Sequence, residues 1–279
     1  MISPLKVALL LFPLLLSKAQ ENSEYDWTFN EETLNGLGEW NATCFNTSVS
    51  VDQYPYYGLL VSSGENEFEQ ICPTIPAIVI TDRYVIGLSD SSIDIGEACR
   101  ANVTLQVGLD KKSEKANTEY EVEIVHNTIK ELFKTKKTII FNAGVQPIRV
   151  AEAGEGPKPG DSMSVTMPYY DAENDQLLVI PVDNVSIASS QDCEKIVSDK
   201  DSITVGRKNL NCSDSLFIWM KFPKQPCTVI PGYINALIVN NKLIGLSDLS
   251  TSWSTGLHTV QAYVNLAKLR VAVKELLRI

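Results

Sequence analysis

Only two histidines, His126 and His258, stand in the 279 residues, so imidazole-based proton transfer would have to use one of them. Both read as ordinary polar residues. The six cysteines, Cys44, Cys72, Cys99, Cys193, Cys212 and Cys227, contain no C-x-x-C pair. Structural zinc sites draw on such spacings together with histidine, so no metal is expected, and no cofactor motif occurs. The stretch "CTVIPGYINALIV" at 227–239 holds no serine and, beyond Cys227 itself, no thiol; its hydroxyl side chains are Thr228 and Tyr233. Pro231 in the same stretch brings a backbone nitrogen that carries no hydrogen. "DRYVIGLSD" ends on Asp90, a carboxylate whose ordinary pKa near 4 makes it a far weaker base than imidazole toward a hydroxyl.

The elements that would carry such residues begin after an export signal. Lys6 precedes the apolar run "VALLLFPLLL", which ends at Ser17-Lys18-Ala19 with small residues at the positions a signal peptidase reads. The run is shorter than the ~20 residues needed to span a bilayer. Residues 1–19 are therefore expected to be a signal peptide, and the chain to be secreted and extracellular, with no membrane anchor. Lys6 and Lys18 leave with the signal, so the mature chain carries 22 basic and 34 acidic residues, a net charge of −12. That balance argues against nucleic acid or an anionic membrane, both of which need clustered Lys and Arg. In an oxidising compartment an even cysteine count reads as three disulfides. Five N-x-S/T sequons, at Asn41, Asn46, Asn102, Asn184 and Asn211, fit an exported glycoprotein, with Asn211 the weakest because Cys212 fills its middle position.

Residues 20–43 are acidic and polar with scattered aromatics and no base; a poorly ordered N-terminal segment is expected. From about Ser48 the pattern turns to short alternating runs between turn residues. "EYEVEIV" puts Tyr120, Val122 and Ile124 on one face and Glu119, Glu121 and Glu123 on the other, and "NVTLQV" does the same with Val103, Leu105 and Val107. "ALIVNNKLIGL" is two apolar runs around Asn240-Asn241, a pairing suited to a tight hairpin turn. "GEGPKPGD" at 154–161 is a loop. Helical periodicity is clear only in "YVNLAKLRVAVKELLRI", where Leu266, Leu269, Val273 and Leu276 recur at spacings of three and four. An all-β protein with a C-terminal helix follows, a sandwich or a barrel.

The order of local stretches resembles the trypsin/chymotrypsin-like (S1) serine protease family. "YPYYGLLVSSG" is similar to the family's opening strand "FPYQVSL", "DRYVIGLSD" to "RYVLTAAHC", and "FNAGVQPIRVAEAGEGPKPGDSMSVT" to the connector "IQPICLP…G…CTVTGWG". "DCEKIV…NLNCSDS" looks like a cysteine-pair segment, and "CTVIPGYINALIVNNKLIGLSDLS" resembles "CxGDSGGPLVxNGKLIGLxSWG". The resemblance implies an S1-like domain over 44–279. It would hold two six-stranded antiparallel β-barrels, about 48–140 and about 141–262, a C-terminal α-helix at about 262–279, and an active-site cleft between the barrels.

Carried over residue by residue, the resemblance implies a degenerate site. The family's serine attacks a carbonyl, its histidine takes the proton and a buried aspartate orients the imidazole. Here the histidine position falls on Asp90 and the aspartate position on Thr128. The serine position falls on Pro231 counted forward from Cys227, or on Tyr233 counted back from "NNKLIG". Losing one oxyanion donor costs ~10²–10³ in rate, and losing triad members costs on the order of 10⁶. The substrate-pairing "SWG" becomes Asp248-Leu249-Ser250, and the connector's "GWG" becomes Met167-Pro168-Tyr169. No Lys or Arg lies between Lys18 and Arg83, the "IVGG" place is taken by something like Thr43-Cys44-Phe45-Asn46, and residues 227–239 hold no acid. Activation by cleavage is therefore not expected. The implied disulfides are Cys193–Cys212 and, with Cys99 standing in for a partner missing at Ser91, Cys72–Cys99. Cys44–Cys227 is a further hypothesis, a covalent tie in place of the activation ion pair.

The function implied is that of a secreted, catalytically inactive serine protease homologue of a type common in arthropods. It would act as a monomer by binding a protein, either an active protease or that protease's substrate, as cofactor, decoy or regulator in a process such as immunity or reproduction. The alternative is a secreted carrier or structural protein that uses the cleft for a ligand. A residual serine-type endopeptidase is the third reading.

Overall fold

A computed structural model describes residues 49–62, 72, 74–88, 103–109, 118–126, 132–152, 155–158, 160–171, 174–198, 203–206, 212, 217–223, 236–254 and 258–266. Strand β1 (Val49–Ser50) crosses away to a second sheet, and the next six strands close on themselves. They are β2 (Tyr57–Ser62), β3 (Ile75–Val79), β4 (Tyr84–Gly87), β5 (Val103–Val107), β6 (Thr118–His126) and β7 (Leu132–Thr135), a barrel in the order β2-β3-β4-β7-β6-β5 with every pair antiparallel.

The side-chain period of two sets which residues fill the barrel. Leu105, Val107, Tyr120 and Val122 point inward onto Val79, Val85 and Phe133. Glu121 and Glu123 face out, with Lys136 Nζ, just past β7, 2.6 Å from Glu121 and Lys134 Nζ of β7 3.9 Å from Glu123. Both pairs are exposed, so they set register more than they stabilise. At Gly58, squeezed between β3 and β5, a Cβ would lie 2.7 Å from the Gln106 carbonyl oxygen. No larger residue fits there without moving the backbone.

The second sheet has nine strands: β1, β8 (Arg149–Val150), β9 (Ser162–Asp171), β10 (Gln176–Ile187), β11 (Ile203–Gly206), β12 (Phe217–Pro223), β13 (Ala236–Val239), β14 (Lys242–Ser254) and β15 (His258–Asn265). The path runs β1-β10-β12-β15-β14-β11, with β9 on β10 and both β13 and β8 on β14; of the pairings among the described residues only β8–β14 is parallel. β12 and β15 are covered on both faces. Ile218, Met220, Phe222 and Tyr263 pack into the sheet's own core, whereas Trp219, Val260 and Ala262 pack outward against Ala188, Cys193 and Cys212.

That outer cover is a helix, α1 (Ser190–Ser198), which sequence periodicity did not announce. A capping pair starts it: Ser189 Oγ accepts from the Asp192 backbone N–H at 3.0 Å and donates to the Asp192 carboxylate at 2.8 Å. That hydroxyl chiefly holds the Asp192 pKa below its usual value. Cys193, in the first turn, is disulfide-bonded to Cys212.

At the C-terminal end the expected helix start gives way. Residues 262–265 belong to β15, where Tyr263 is paired to Ile218 on one side and Ser247 on the other. Ladders on both flanks outweigh the spacing of apolar residues. Leu266 is helical and buried, and the rest of the expected helix, 267–279, lies outside the described residues.

Barrel and sheet share a third core. Tyr57, Leu59, Ile78, Ile86 and Leu132 of the barrel meet Leu177, Val179, Ala236, Ile238, Leu243 and Leu246 of the sheet in one buried cluster. Across it Tyr57 Oη and Thr166 Oγ1 of β9 lie 3.0 Å apart in a hydrogen bond.

Candidate functional site

Three strand ends lead to the positions where the resemblance puts catalysis. β4 is launched by a Thr81 turn whose Oγ1 accepts from the backbone N–H of Arg83 at 3.1 Å and of Tyr84 at 3.0 Å. The strand ends at Gly87, and the N–H of the next residue, Leu88, donates to the Pro76 carbonyl at 2.7 Å. β6 ends at His126, paired to Leu132. β13 begins at Ala236, which is fully buried. Leu88, Val125 and Ala236 all belong to or pack against the cluster between barrel and sheet. All three strand ends therefore border the same buried cluster. The residues themselves, Asp90, Thr128 and Tyr233, lie outside the described residues, as do Thr228 and Pro231.

Downstream of β13 the register is fixed. The Asn240-Asn241 turn has positive φ at both residues, 51° and 57°, and closes a hairpin pairing Val239 with Lys242. This is the turn geometry whose twist matches a β-ribbon. Further along β14, Ser247 pairs with Tyr263 and Ser252 with Gln261, so on the β15 side four residues, 248–251, stand against Ala262, while Thr251 pairs with Gly206 of β11 on the other side. The Asp248-Leu249-Ser250 stretch therefore sits on a bulge beside a buried polar pair, Gln261 Nε2 donating to Ser247 Oγ at 2.8 Å. A bulge of this kind re-aims the strand and interrupts its ladder. Met167 and Pro168 are buried in β9 opposite Ile180 and Val179, and Tyr169 is half-buried opposite Leu178.

Of the cysteines, Cys72 is buried and disulfide-bonded in addition to the Cys193–Cys212 pair; Cys44, Cys99 and Cys227 lie outside the described residues. Asn184 is exposed at φ 58° where the β9–β10 register shifts between Val182 and Val185. Asn41, Asn46, Asn102 and Asn211 lie outside the described residues. Among the described residues no three His, Cys, Asp or Glu side chains are grouped to hold a metal ion, and no helix is long and apolar enough to cross a membrane.

Two features went unread in the sequence. The first is a tyrosine cluster around "YPYY": the rings of Tyr54, Tyr56 and Tyr57 pack edge-on or tilted at centroid distances of 4.9–6.1 Å. Burial pushes the Tyr56 and Tyr57 hydroxyls well above the usual phenol range, so both remain neutral hydrogen-bonding groups. Tyr56 Oη donates to Asn241 Oδ1 at 3.3 Å, tying the barrel to the hairpin turn. Tyr54 and Tyr57 also wall a cavity of about 240 Å³ with Val51, Gly108, Leu109, Ala143 and Gly144. The second is Glu155, which accepts from the Glu152 N–H at 2.8 Å, Lys242 Nζ at 3.0 Å and Arg149 Nη2 at 2.9 Å. Foremost among the causes that hold its pKa down to about 2 is the Glu152 amide, followed by Lys242. Three tyrosines within four residues signal the first; no local pattern signals the second, because Lys242 is 87 residues away.

No family model matches the sequence, and no curated protein sequence matches it significantly. Structural likeness is broad, with 704 chains of solved structures matching. The scabies mite inactivated protease paralogue S-D1 is similar at 12% identity and a TM-score of 0.53, covering 83% of this chain and 96% of that one. The scabies mite inactivated protease paralogue S-I1 gives 10% identity, a TM-score of 0.53 and coverages of 82% and 98%. Kallikrein-related peptidase 10 gives 15%, 0.50, and the same 82% and 98%. At such identities likeness carries the fold alone: the chain has the trypsin-like serine protease fold.

Proposed function

We propose that this chain is a secreted serine protease homologue without hydrolytic activity, which acts by binding a protein. The observation that carries the reading is the composition of residues 227–239, set on a fold shared with proteases. In this reading the nucleophile segment leads into β13, which begins at Ala236. Within that segment no serine stands to attack, and Pro231 withdraws a backbone donor from the loop that would hold an oxyanion. Asp90 and Thr128 in place of histidine and aspartate remove the proton relay as well. That two structural neighbours are inactivated paralogues supports the same reading.

In this reading residues 1–19 are removed on export, the second sheet is the second barrel of the fold, and 267–279 complete the terminal helix. Disulfides and glycans, Asn184 first among the acceptors, suit an extracellular protein, and the partner is a protease or its substrate. Substitutions at Asp90, Tyr233 or Leu249 are expected to weaken capture of a protein from the expressing tissue while leaving the fold intact. Unchanged capture by all three would remove the old cleft as the binding surface.

A further inference from the structure

Strand β10 carries one residue too many for its ladder, and the surplus sits in an acceptor sequence. Val182 and Val185 are both buried in the core of the second sheet. Three residues apart, they would fall on opposite faces of a regular strand, whose side chains alternate with a period of two. The ladder with β9 removes the conflict. Val182 pairs with Val165 and Val185 with Met163, so Asp183 and Asn184 together stand against Ser164 alone. Two residues opposing one make a β-bulge. Asn184 takes up the irregularity at φ 58°, a left-handed conformation that asparagine adopts more readily than most residues. Asp183 and Asn184 are thereby both exposed, across from the exposed Ser162 and Ser164. Without the bulge, a strand with Val182 inward would aim the Asn184 side chain at the core.

Asn184-Val185-Ser186 is one of the N-x-S/T sequons, and its other two positions are closed. Val185 is fully buried, and Ser186 is paired on both flanks, with Ser162 of β9 and Lys221 of β12. An enzyme that recognises the tripeptide must bind its backbone and reach the Ser186 hydroxyl, which the finished sheet does not allow. Asn184 itself stays in the open, so a bulky, solvated sugar is compatible with the folded sheet once it is attached.

We propose that Asn184 is glycosylated while β10 is still unpaired, and that the second sheet, once closed, no longer accepts the sugar. The co-reactant is an oligosaccharide linked to a polyprenyl pyrophosphate. A bond forms between the Asn184 Nδ2 and the anomeric carbon as the bond from that carbon to the pyrophosphate oxygen breaks. The amide gives up one proton, and the polyprenyl pyrophosphate leaves. This order of events rests on the export reading above, which brings the chain to the transferase.

A single-subunit eukaryotic oligosaccharyltransferase with its lipid-linked donor tests the order on the full chain made without glycans. One sample is refolded with its disulfides, the other reduced and alkylated so that it stays unfolded, and peptide mass spectrometry reads the product at Asn184. The unfolded chain should be modified at least about tenfold faster, because opening a central strand costs close to the global stability. Ser186→Ala, which removes the sequon and leaves Asn184 in place, should abolish modification in both samples. In protein exported from eukaryotic cells, enzymatic release of the glycan should convert Asn184 to aspartate. Equal rates on the folded and unfolded chains would overturn the order. An unmodified Asn184 in exported protein whose other sequons are filled would overturn the site and leave export standing. A chain that is not exported would overturn the export reading, and the rates with purified transferase would still decide between open and closed β10.

Discussion

Replacing Tyr57 by Phe removes one oxygen from the contact that joins barrel to sheet and leaves the ring in place. Tyr57 is 2% exposed, packs at a tilt against Tyr56 with ring centroids 4.9 Å apart and shares a 3.0 Å hydrogen bond with Thr166. Thr166 is only partly buried and also hydrogen-bonds Tyr56, so its hydroxyl is not left unsatisfied in the variant. The loss should therefore stay near the net value of a hydrogen bond, about 1 kcal/mol, a fall in Tm of about 2–4 °C for a chain of this size. Tyr57→Ala deletes the ring too and should cost about 3–5 kcal/mol, as for other buried aromatics. Urea unfolding under non-reducing conditions gives the comparison. The double-mutant cycle with Thr166→Val should return a coupling of about 0.5–1.5 kcal/mol. Additive single effects, or Tyr57→Phe as costly as Tyr57→Ala, would refute the reasoning, because the hydroxyl would then not join the two halves.

Three further outcomes follow from the same geometry. Replacing Cys193 and Cys212 by Ala opens a link of sequence separation 19 and should cost about 3 kcal/mol by loop closure, read as a lower urea midpoint. The Glu155 carboxyl, with its pKa lowered from 4.5 to about 2, contributes stability that is complete above pH 4.5 and is lost as pH falls toward 2. An NMR titration of Glu155 should show that low midpoint and Glu155→Gln should flatten stability across the window; a midpoint near 4.5 would contradict it. At the β13–β14 turn, Asn240→Ala should destabilise by about 1 kcal/mol because alanine resists positive φ, whereas Asn240→Gly should be close to neutral. Equal midpoints for the Ala and Gly variants would count against the turn geometry.

Much of the fold was legible where one face of a strand is wet. The alternation at 103–107 and 118–124 and the paired asparagines at 240–241 each reflect a single-sided environment or a single turn, which local sequence can encode. Legibility failed where both faces are covered. In β15 Val260, Gln261, Ala262 and Tyr263 are all buried, because α1 covers one side and the sheet core the other, so no period of two survives. The run then reads as the first turn of the helix that follows. The helix α1 is short and half polar, but its Ser189–Asp192 cap was available as a signal. The pairing of β1 with β10, and the Glu155 contact with Lys242, span distances along the chain that no local pattern records. At the candidate site the residue types were legible, because a missing serine is missing in any conformation.

The central claim is that residues 227–239 cannot be acylated or phosphonylated as a protease nucleophile is. Intact-mass and peptide-level analysis of the purified secreted protein after incubation with a reactive fluorophosphonate measures this directly. The predicted result is an unshifted mass and unmodified 227–239 peptides under conditions that label an active trypsin-like enzyme completely. A stoichiometric adduct on Thr228, Tyr233 or any other side chain of that segment would contradict the account.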